Sequence, residues 1–364
     1  MDISTMTPTI SSGNVDATIS NAGPVRVLIV RLSALGDTAL TLPLAYLLKQ
    51  RIPNLHLGWV VGEQAYPLLQ GLECIDKLHI LPQSGVGVAT LRQLVREIRG
   101  QRYQFALDPQ GISRSALLPW LAGIPHRVGM APGKMESREL APLFLNHFIQ
   151  VPPNIKHITE RTLYLSSSLG IDNFSRPPSP LFLEPGAVYR MRHWWGQAGL
   201  NSNTLIMSIG AGWPTKVWPA ERVQYLVEAA AETEIRAVLL WGPAERHRIK
   251  AWHKLFRGTA LLAPLTNIQE MIALLNMARG YAGPDTAALH LAWLLGKPTF
   301  SWFGASDPVR CAPQGPNQVH VACGPHNWRR TSLLGNPLRK LTVERVLASF
   351  KCWLSRLHGT QDAN

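Results

Sequence analysis

Three short stretches of this chain combine glycine, a charged side chain and a change of periodicity, and each could do chemistry. The first, VLIVRLSALGDTALTLP at 27–43, reads as a buried strand, a tight glycine turn and the start of a helix. A helix N-terminus of this kind offers unpaired N–H groups and a partial positive charge, which together cradle phosphate. Asp37 stands where that anion would bind, and a carboxylate there repels a phosphate. On residue type alone Asp37 is either the N-cap of a helix starting near Thr38 or a group with chemistry of its own. The second stretch, GAGWPTKVWP at 210–219, follows a strand pattern. Gly210 and Gly212 let the backbone approach a ligand closely, and Lys216 is either a cation for that ligand or an ordinary solvated lysine. The third, GPDTAALH at 283–290, closes a strand and opens a helix, at the edge where open α/β sheets bind ligands. It would aim the amides of 286–288 at an anion, with Thr286 and His290 four apart on one helix face. The plainer alternative makes Asp285 an N-cap and His290 a satisfied core histidine.

Other features narrow the chemistry. Neither Gly210-Ala211-Gly212 nor GVGVAT at 85–90 completes a dinucleotide fingerprint, which argues against hydride transfer. No Asp-x-Asp occurs, and Cys74, Cys311, Cys323 and Cys352 lack metal-type spacing, so no metal and reduced thiols are expected. A lysine and a helix N-terminus could instead meet an anion, and Lys216 with a helix at 286–295 fits that role. Trp213, Trp218, Trp241 and Trp302 lie in motif loops or strand ends, where core or rim packing is the ordinary use of the ring and stacking on a base or sugar the alternative.

The chain has 364 residues, enough for two cores, and carries 36 Lys plus Arg against 23 Asp plus Glu, a formal charge of +13. That charge suits nucleic acid, an anionic membrane surface or a phosphorylated substrate. The basic residues are scattered and no nucleic-acid-binding motif is present, so nucleic acid is not the expected partner. Residues 1–24 are rich in Ser, Thr and Asn without a basic start or an apolar core, which predicts a disordered tail rather than a signal peptide, and a cytoplasmic location.

Periodicity alternates between strand and helix twice over. Strands are predicted at 25–31, 55–61, 77–82, 103–108 and 126–130, with a helix at 91–100, in a first domain spanning 25–175. The stretch 131–155 reads as a long functional loop, with Lys134, Arg138, His147 and Lys156 in or beside it. A helical segment at 157–169 and a Pro-rich linker at 176–186 lead into a second domain, 187–341. Its predicted strands are 204–210, 236–242, 259–264, 280–283 and 298–304, and its helices about 220–232, 244–256, 267–278 and 286–295. Thr266 and Gln269 form a capping box for the third of these. A helix at 342–357 lies in a C-terminal segment, 342–364. The expected architecture is α/β, two doubly wound Rossmann-like halves facing across a cleft.

Four stretches in order, VRVLIVRLSALGDTALTLPLAYLLKQRIP, DPQGISRSALLPWLAGIPHRVGM, GAGWPTKVWP and GPDTAALHLAWLLGKPTFSWFGASDPVR, resemble the bacterial heptosyltransferases of glycosyltransferase family 9. The resemblance implies a GT-B fold and inverting, metal-independent transfer without a cofactor. The implied donor is a nucleotide sugar, ADP-heptose, and the acceptor an anionic lipid-linked glycan, the inner core of lipopolysaccharide. It implies that Asp37 is the general base, that Lys216 meets the donor diphosphate, and that Asp285, Thr286, Ala287 and His290 contact diphosphate and sugar. The family usually has glycine where Ala287 stands. Glu245, in WGPAERHR, matches a glutamate near the donor ribose, with Gly210 and Gly212 in the donor loop. Lys134, Arg138 and Lys156 are the candidates for the acceptor, and a peripheral position on the inner membrane is expected. A nucleotide-sugar sensor of the same fold is the alternative, but a sensor needs no base, and a relative using another sugar is a second.

Overall fold

The computed structural model describes residues 24–84, 87–132, 137–324 and 337–359. The tail expected at 1–24 (apart from Pro24), Lys134, and the first two residues of GVGVAT lie outside them. The chain divides into two compact units between Phe182 and Leu183.

The first unit alternates β1 (Arg26–Val30), α1 (Leu35–Arg51), β2 (His56–Gly62), α2 (Tyr66–Leu69), β3 (Lys77–Leu81), α3 (Val88–Gly100), β4 (Phe105–Asp108), α4 (Ser113–Leu121), β5 (His126–Met130), α5 (Ala141–Phe144) and β6 (His147–Ile149). It ends in α6 (Ile158–Leu163) and a 3-10 turn at Tyr164–Leu169. The sheet is wholly parallel in the order β3-β2-β1-β4-β5-β6. Val27, Leu28, Ile29 and Val30 are all fully buried, because a strand in a parallel sheet is covered on both faces and must be apolar on both. α1 stops at Ile52, which is extended, as the residue before Pro53 is driven to be.

The second unit runs α7 (Pro185–Gln197), β7 (Thr204–Ser208), α8 (Ala220–Ala231), β8 (Arg236–Leu240), α9 (Ile249–Leu255), β9 (Ala260–Leu262), α10 (Ile268–Met277), β10 (Gly280–Pro284), α11 (Ala287–Leu294), β11 (Thr299–Phe303), α12 (Pro308–Cys311), β12 (Gln318–Ala322) and α13 (Val343–Gly359). Its parallel sheet has the order β12-β11-β10-β7-β8-β9, the same topology as the first. The core packs Trp218, Phe300, Trp302, Phe350 and Trp353 between the sheet, α8 and α13. Trp218 and Trp302 are therefore core residues: their rings lie 5.7 Å apart, and the Trp218 indole N–H donates to the Leu341 carbonyl at 3.1 Å.

Several elements differ from expectation. The stretch 131–155 is not a continuous loop, since it holds α5 and β6, the latter paired with β5. Three residues of strand are too few to show a period of two. α7 and β12 add to the expected elements; α7 begins at Pro185, inside the expected linker, where Glu184 caps it by accepting from the amides of Gly186 and Ala187. The expected helix at 244–256 is a 3-10 turn at Pro243–Arg248 followed by α9. The capping box of α10 sits one residue later than the sequence suggests. Asn267 accepts from the Glu270 amide at 2.9 Å, and the Glu270 carboxylate accepts from the Asn267 amide at 3.0 Å. Both pairs satisfy the spacing, and the helix starts at Ile268. Asn267→Ala is therefore expected to destabilise the protein by about 1 kcal/mol, and Thr266→Ala to leave urea unfolding nearly unchanged. Equal costs at the two positions would contradict this register.

Candidate active site

In the first unit the candidate groups gather where β1 and β4 lie side by side and their following loops part. Arg31, directly after β1, is buried, yet its guanidinium reaches two partners. It donates to the Pro109 carbonyl at 2.9 Å and to Asp37 Oδ2 at 2.8 Å. Asp37 is not an N-cap: α1 starts at Leu35, Ala34 is the cap residue, and Asp37 is the third helical residue, reaching back to the Ala34 amide at 3.4 Å. Its side chain is 43% exposed, so a buried cation holds a carboxylate that solvent still reaches.

The loop after β4 is built round Asp108. One oxygen accepts from the amides of Gln110 and Gly111, each at 3.0 Å, and the other from the Ser115 hydroxyl at 2.8 Å. Gly111 has φ +64, a left-handed conformation that lets the chain turn back on the carboxylate. Burial pushes Asp108 up to about 6, against the opposing bonds from Gly111, Ser115 and Gln110 and the charge of Arg31. Gln110 then ties the loops together: its Oε1 accepts from the Leu32 amide at 2.7 Å. Arg138 is exposed, and its amide donates to the Gly111 carbonyl at 2.7 Å, so the structure brings it to this loop. Lys156 is exposed just before Thr159, whose hydroxyl donates to the Leu40 carbonyl in α1 at 3.1 Å.

The second unit repeats the pattern where β7 and β10 adjoin. Lys216, in the 3-10 turn Pro214–Lys216, places its ammonium 2.5 Å from Asp285 Oδ2 and 3.2 Å from the Asp285 carbonyl. His290 Nε2 donates to Asp285 Oδ1 at 3.1 Å. Burial alone would raise the Asp285 carboxyl, but the His290 bond and the Lys216 charge outweigh it and hold it well below the usual carboxylate range. The N-cap of α11 is Thr286, not Asp285, and it does not cap with its side chain. Its hydroxyl pairs instead with the buried Tyr281 hydroxyl at 3.1 Å, so Thr286 and His290 serve different partners. The amides of Ala287, Ala288 and Leu289, one residue later than expected, have no intrahelical acceptor. Ala287 occupies an ordinary first helical position, which requires no glycine.

Glu245 joins this site. Its carboxylate accepts from the Gly242 amide at 2.6 Å and lies against Gly210, where any Cβ would overlap it. Gly210 is thus required by a side chain of the protein, whereas a Cβ at Gly212 would meet open space. Trp213 is 38% exposed, and Trp241 donates from its indole to the Ala263 carbonyl at 2.7 Å. Buried polar atoms without a hydrogen-bond partner among the described residues include Arg31 Nε, Thr215 Oγ1, His290 Nδ1 and Ser306 Oγ, which lie beside these two centres or on the same sheet edge. Such atoms favour a polar ligand or water.

A family model described as glycosyltransferase family 9 (heptosyltransferase) matches residues 91–334. The chain belongs to glycosyltransferase family 9. It is 28% identical over 341 residues to lipopolysaccharide heptosyltransferase 1 of Escherichia coli strain RS218, covering 88% of this chain and 96% of that protein. The structure of a glycosyl transferase family 9 protein from Veillonella parvula is similar with a TM-score of 0.78 at 18% identity, over 92% of this chain and 98% of that one. That of E. coli heptosyltransferase WaaC with ADP-2-deoxy-2-fluoro heptose has a TM-score of 0.67 at 25% identity, over 88% and 98%. The fold is GT-B, two Rossmann-like domains, and the protein is a glycosyltransferase. Arg31, Asp108 and Gln110 were present in the family-like stretches but unmarked by residue type; their signal was position, directly after two strands of one sheet.

Asp108 makes a pH-dependent contribution with a definite sign. Between the ordinary carboxylate value, about 4, and its raised value of about 6, the native state binds more protons than the unfolded state. Stability from this group therefore falls as pH rises through that window, by about 2–3 kcal/mol in all. Asp108→Asn keeps an acceptor for the two amides and does not titrate. Urea midpoints measured from about pH 4 to about pH 7 are expected to lack that fall in the variant. A variant curve parallel to the wild type would contradict the assignment.

Proposed function

We propose that the protein is an inverting, metal-independent heptosyltransferase. On this reading it moves heptose from ADP-heptose to the inner core of a lipopolysaccharide-type acceptor, without a cofactor, as a peripheral protein at the cytoplasmic face of the inner membrane. Support comes from the family match, from relatives named lipopolysaccharide heptosyltransferase, and from a similar structure solved with a fluorinated ADP-heptose. The observation that carries the reading is Asp285, buried beside the side-chain-uncapped N-terminus of α11 and paired with Lys216 and His290.

In the proposed reaction an acceptor hydroxyl oxygen attacks the anomeric carbon, and its proton passes to Asp37. The bond from that carbon to the diphosphate oxygen breaks, and ADP leaves with the electron pair. Arg31 fixes the position of the Asp37 carboxylate, which solvent still reaches. Lys216 is the cation for the diphosphate: an ammonium has three donors, and Asp285 takes two of them. The first amides of α11 share that charge, an electrostatic device that needs no carboxylate-bound metal. Glu245 is assigned to the ribose. Lys134, Arg138 and Lys156 are assigned to the anionic acceptor.

Two measurements test the reading. Asp37→Asn should lower turnover about 10²–10⁴-fold with little change in ADP affinity, because the amide retains the size but cannot take the proton. Near-normal turnover would remove Asp37 from the chemistry. Transfer from ADP-heptose by the wild type should persist in excess EDTA, whereas abolition with recovery on adding a divalent ion would overturn metal independence.

A further inference from the structure

The surface of the first unit carries an apolar ridge that the proposed reaction does not use. α5 buries one side and presents the other. Ala141 and the following Leu145 pack with Ala116 of α4 in a small core of their own. Facing outward, Leu140 is 59% and Leu143 72% exposed, and Trp120 at the far end of α4 is 47% exposed. Two contacts tie them to the α4–α5 pair. The Leu140 amide donates to the Ser113 hydroxyl at the start of α4, and the Trp120 ring lies 5.5 Å from that of Phe144. The ridge therefore follows α4 from its first residue to its last turn.

Two observations bear on its partner. Exposed Arg114 and Arg138 stand at its Ser113 end, and the acid beside them, Glu139, turns its carboxylate onto the Ser113 amide and hydroxyl at 3.1 and 2.9 Å. The Arg138 amide is also bonded to the Gly111 carbonyl, so this end of α5 lies beside the loop after β4. An indole and two leucines bordered by arginines match the boundary between acyl chains and anionic headgroups.

We propose that this ridge docks the protein on an anionic lipid bilayer, with Trp120, Leu140 and Leu143 entering the interface and Arg114 meeting lipid phosphates. The proposal rests on the transferase reading insofar as it brings the acceptor's lipid anchor to the Asp37 side of the molecule. The test is flotation of the full chain with phosphatidylcholine vesicles, with and without phosphatidylglycerol. Wild type is expected to float with the anionic vesicles and much less with the neutral ones. Leu143→Glu and Trp120→Ser should each lower that partition about 5–10-fold while near-ultraviolet circular dichroism stays unchanged. Transfer to a deacylated acceptor in solution should remain at the wild-type rate in both variants. Vesicle binding by wild type with no transfer would sink the transferase reading and leave the docking surface supported. Wild type that ignores anionic vesicles, or variants that bind them as well as wild type, overturns the proposal. So does a Leu143→Glu variant that splits a dimer seen by light scattering without affecting flotation, which would assign the ridge to a second copy of the chain. Binding that appears only after residues 1–23 are deleted would assign it to the protein's own N-terminal segment, and likewise overturn it.

Discussion

In each unit the first strand has the second strand on one side and the fourth on the other. The chain must therefore leave the first strand in one direction and the fourth in the opposite one, and a crevice opens between the two exits. Everything of chemical interest follows from that geometry. Arg31 and Asp37 leave β1 while Asp108 and Gln110 leave β4, and the side chains of Arg31 and Gln110 close the gap between segments 78 residues apart. Lys216 leaves β7 and Asp285 leaves β10, and their ion pair closes the corresponding gap in the second unit. One topology, used twice, supplies both centres.

The two centres differ in how they treat a buried carboxylate. Asp108 and Asp285 are both buried. Asp108 receives backbone amides and a hydroxyl, with the arginine charge a smaller influence, and burial prevails. Asp285 receives an imidazole and a lysine, and burial loses. The first arrangement shapes a loop. The second keeps a fixed negative charge tying a cation to a helix start, so that Lys216 is held in place. Such preorganisation is what makes a charged group effective in a site that excludes water.

The alternation of strands and helices could be read from the sequence because parallel strands need unbroken apolar runs and crossovers need helices. Strands such as β6 could not, being too short for a pattern. Local spacing also failed to choose between Thr266 and Asn267 as the cap of α10, since the two positions offer the same chemistry one residue apart. The family-like stretches pointed to Asp37, Lys216, Asp285 and His290. Arg31 escaped notice for a physical reason: an arginine after a strand acquires meaning only when the strand beside it is known, and Pro109 lies far along the chain. The use of Gly210 was likewise hidden, because the carboxylate it accommodates belongs to Glu245 on the next crossover.

The diversion of Thr286 has a further consequence. With its hydroxyl committed to Tyr281, Thr286 leaves the first amides of α11 without a side-chain cap, open under the proposed reading to the donor's phosphates. Under the proposed chemistry the nucleotide keeps both phosphates after the sugar has gone. A helix end recognises phosphate and not the sugar beyond it, so spent nucleotide should hold on nearly as well as fresh donor. The enzyme would then be braked by its own leaving group, and its throughput in the cell would follow the ratio of charged to spent nucleotide rather than the amount of donor alone.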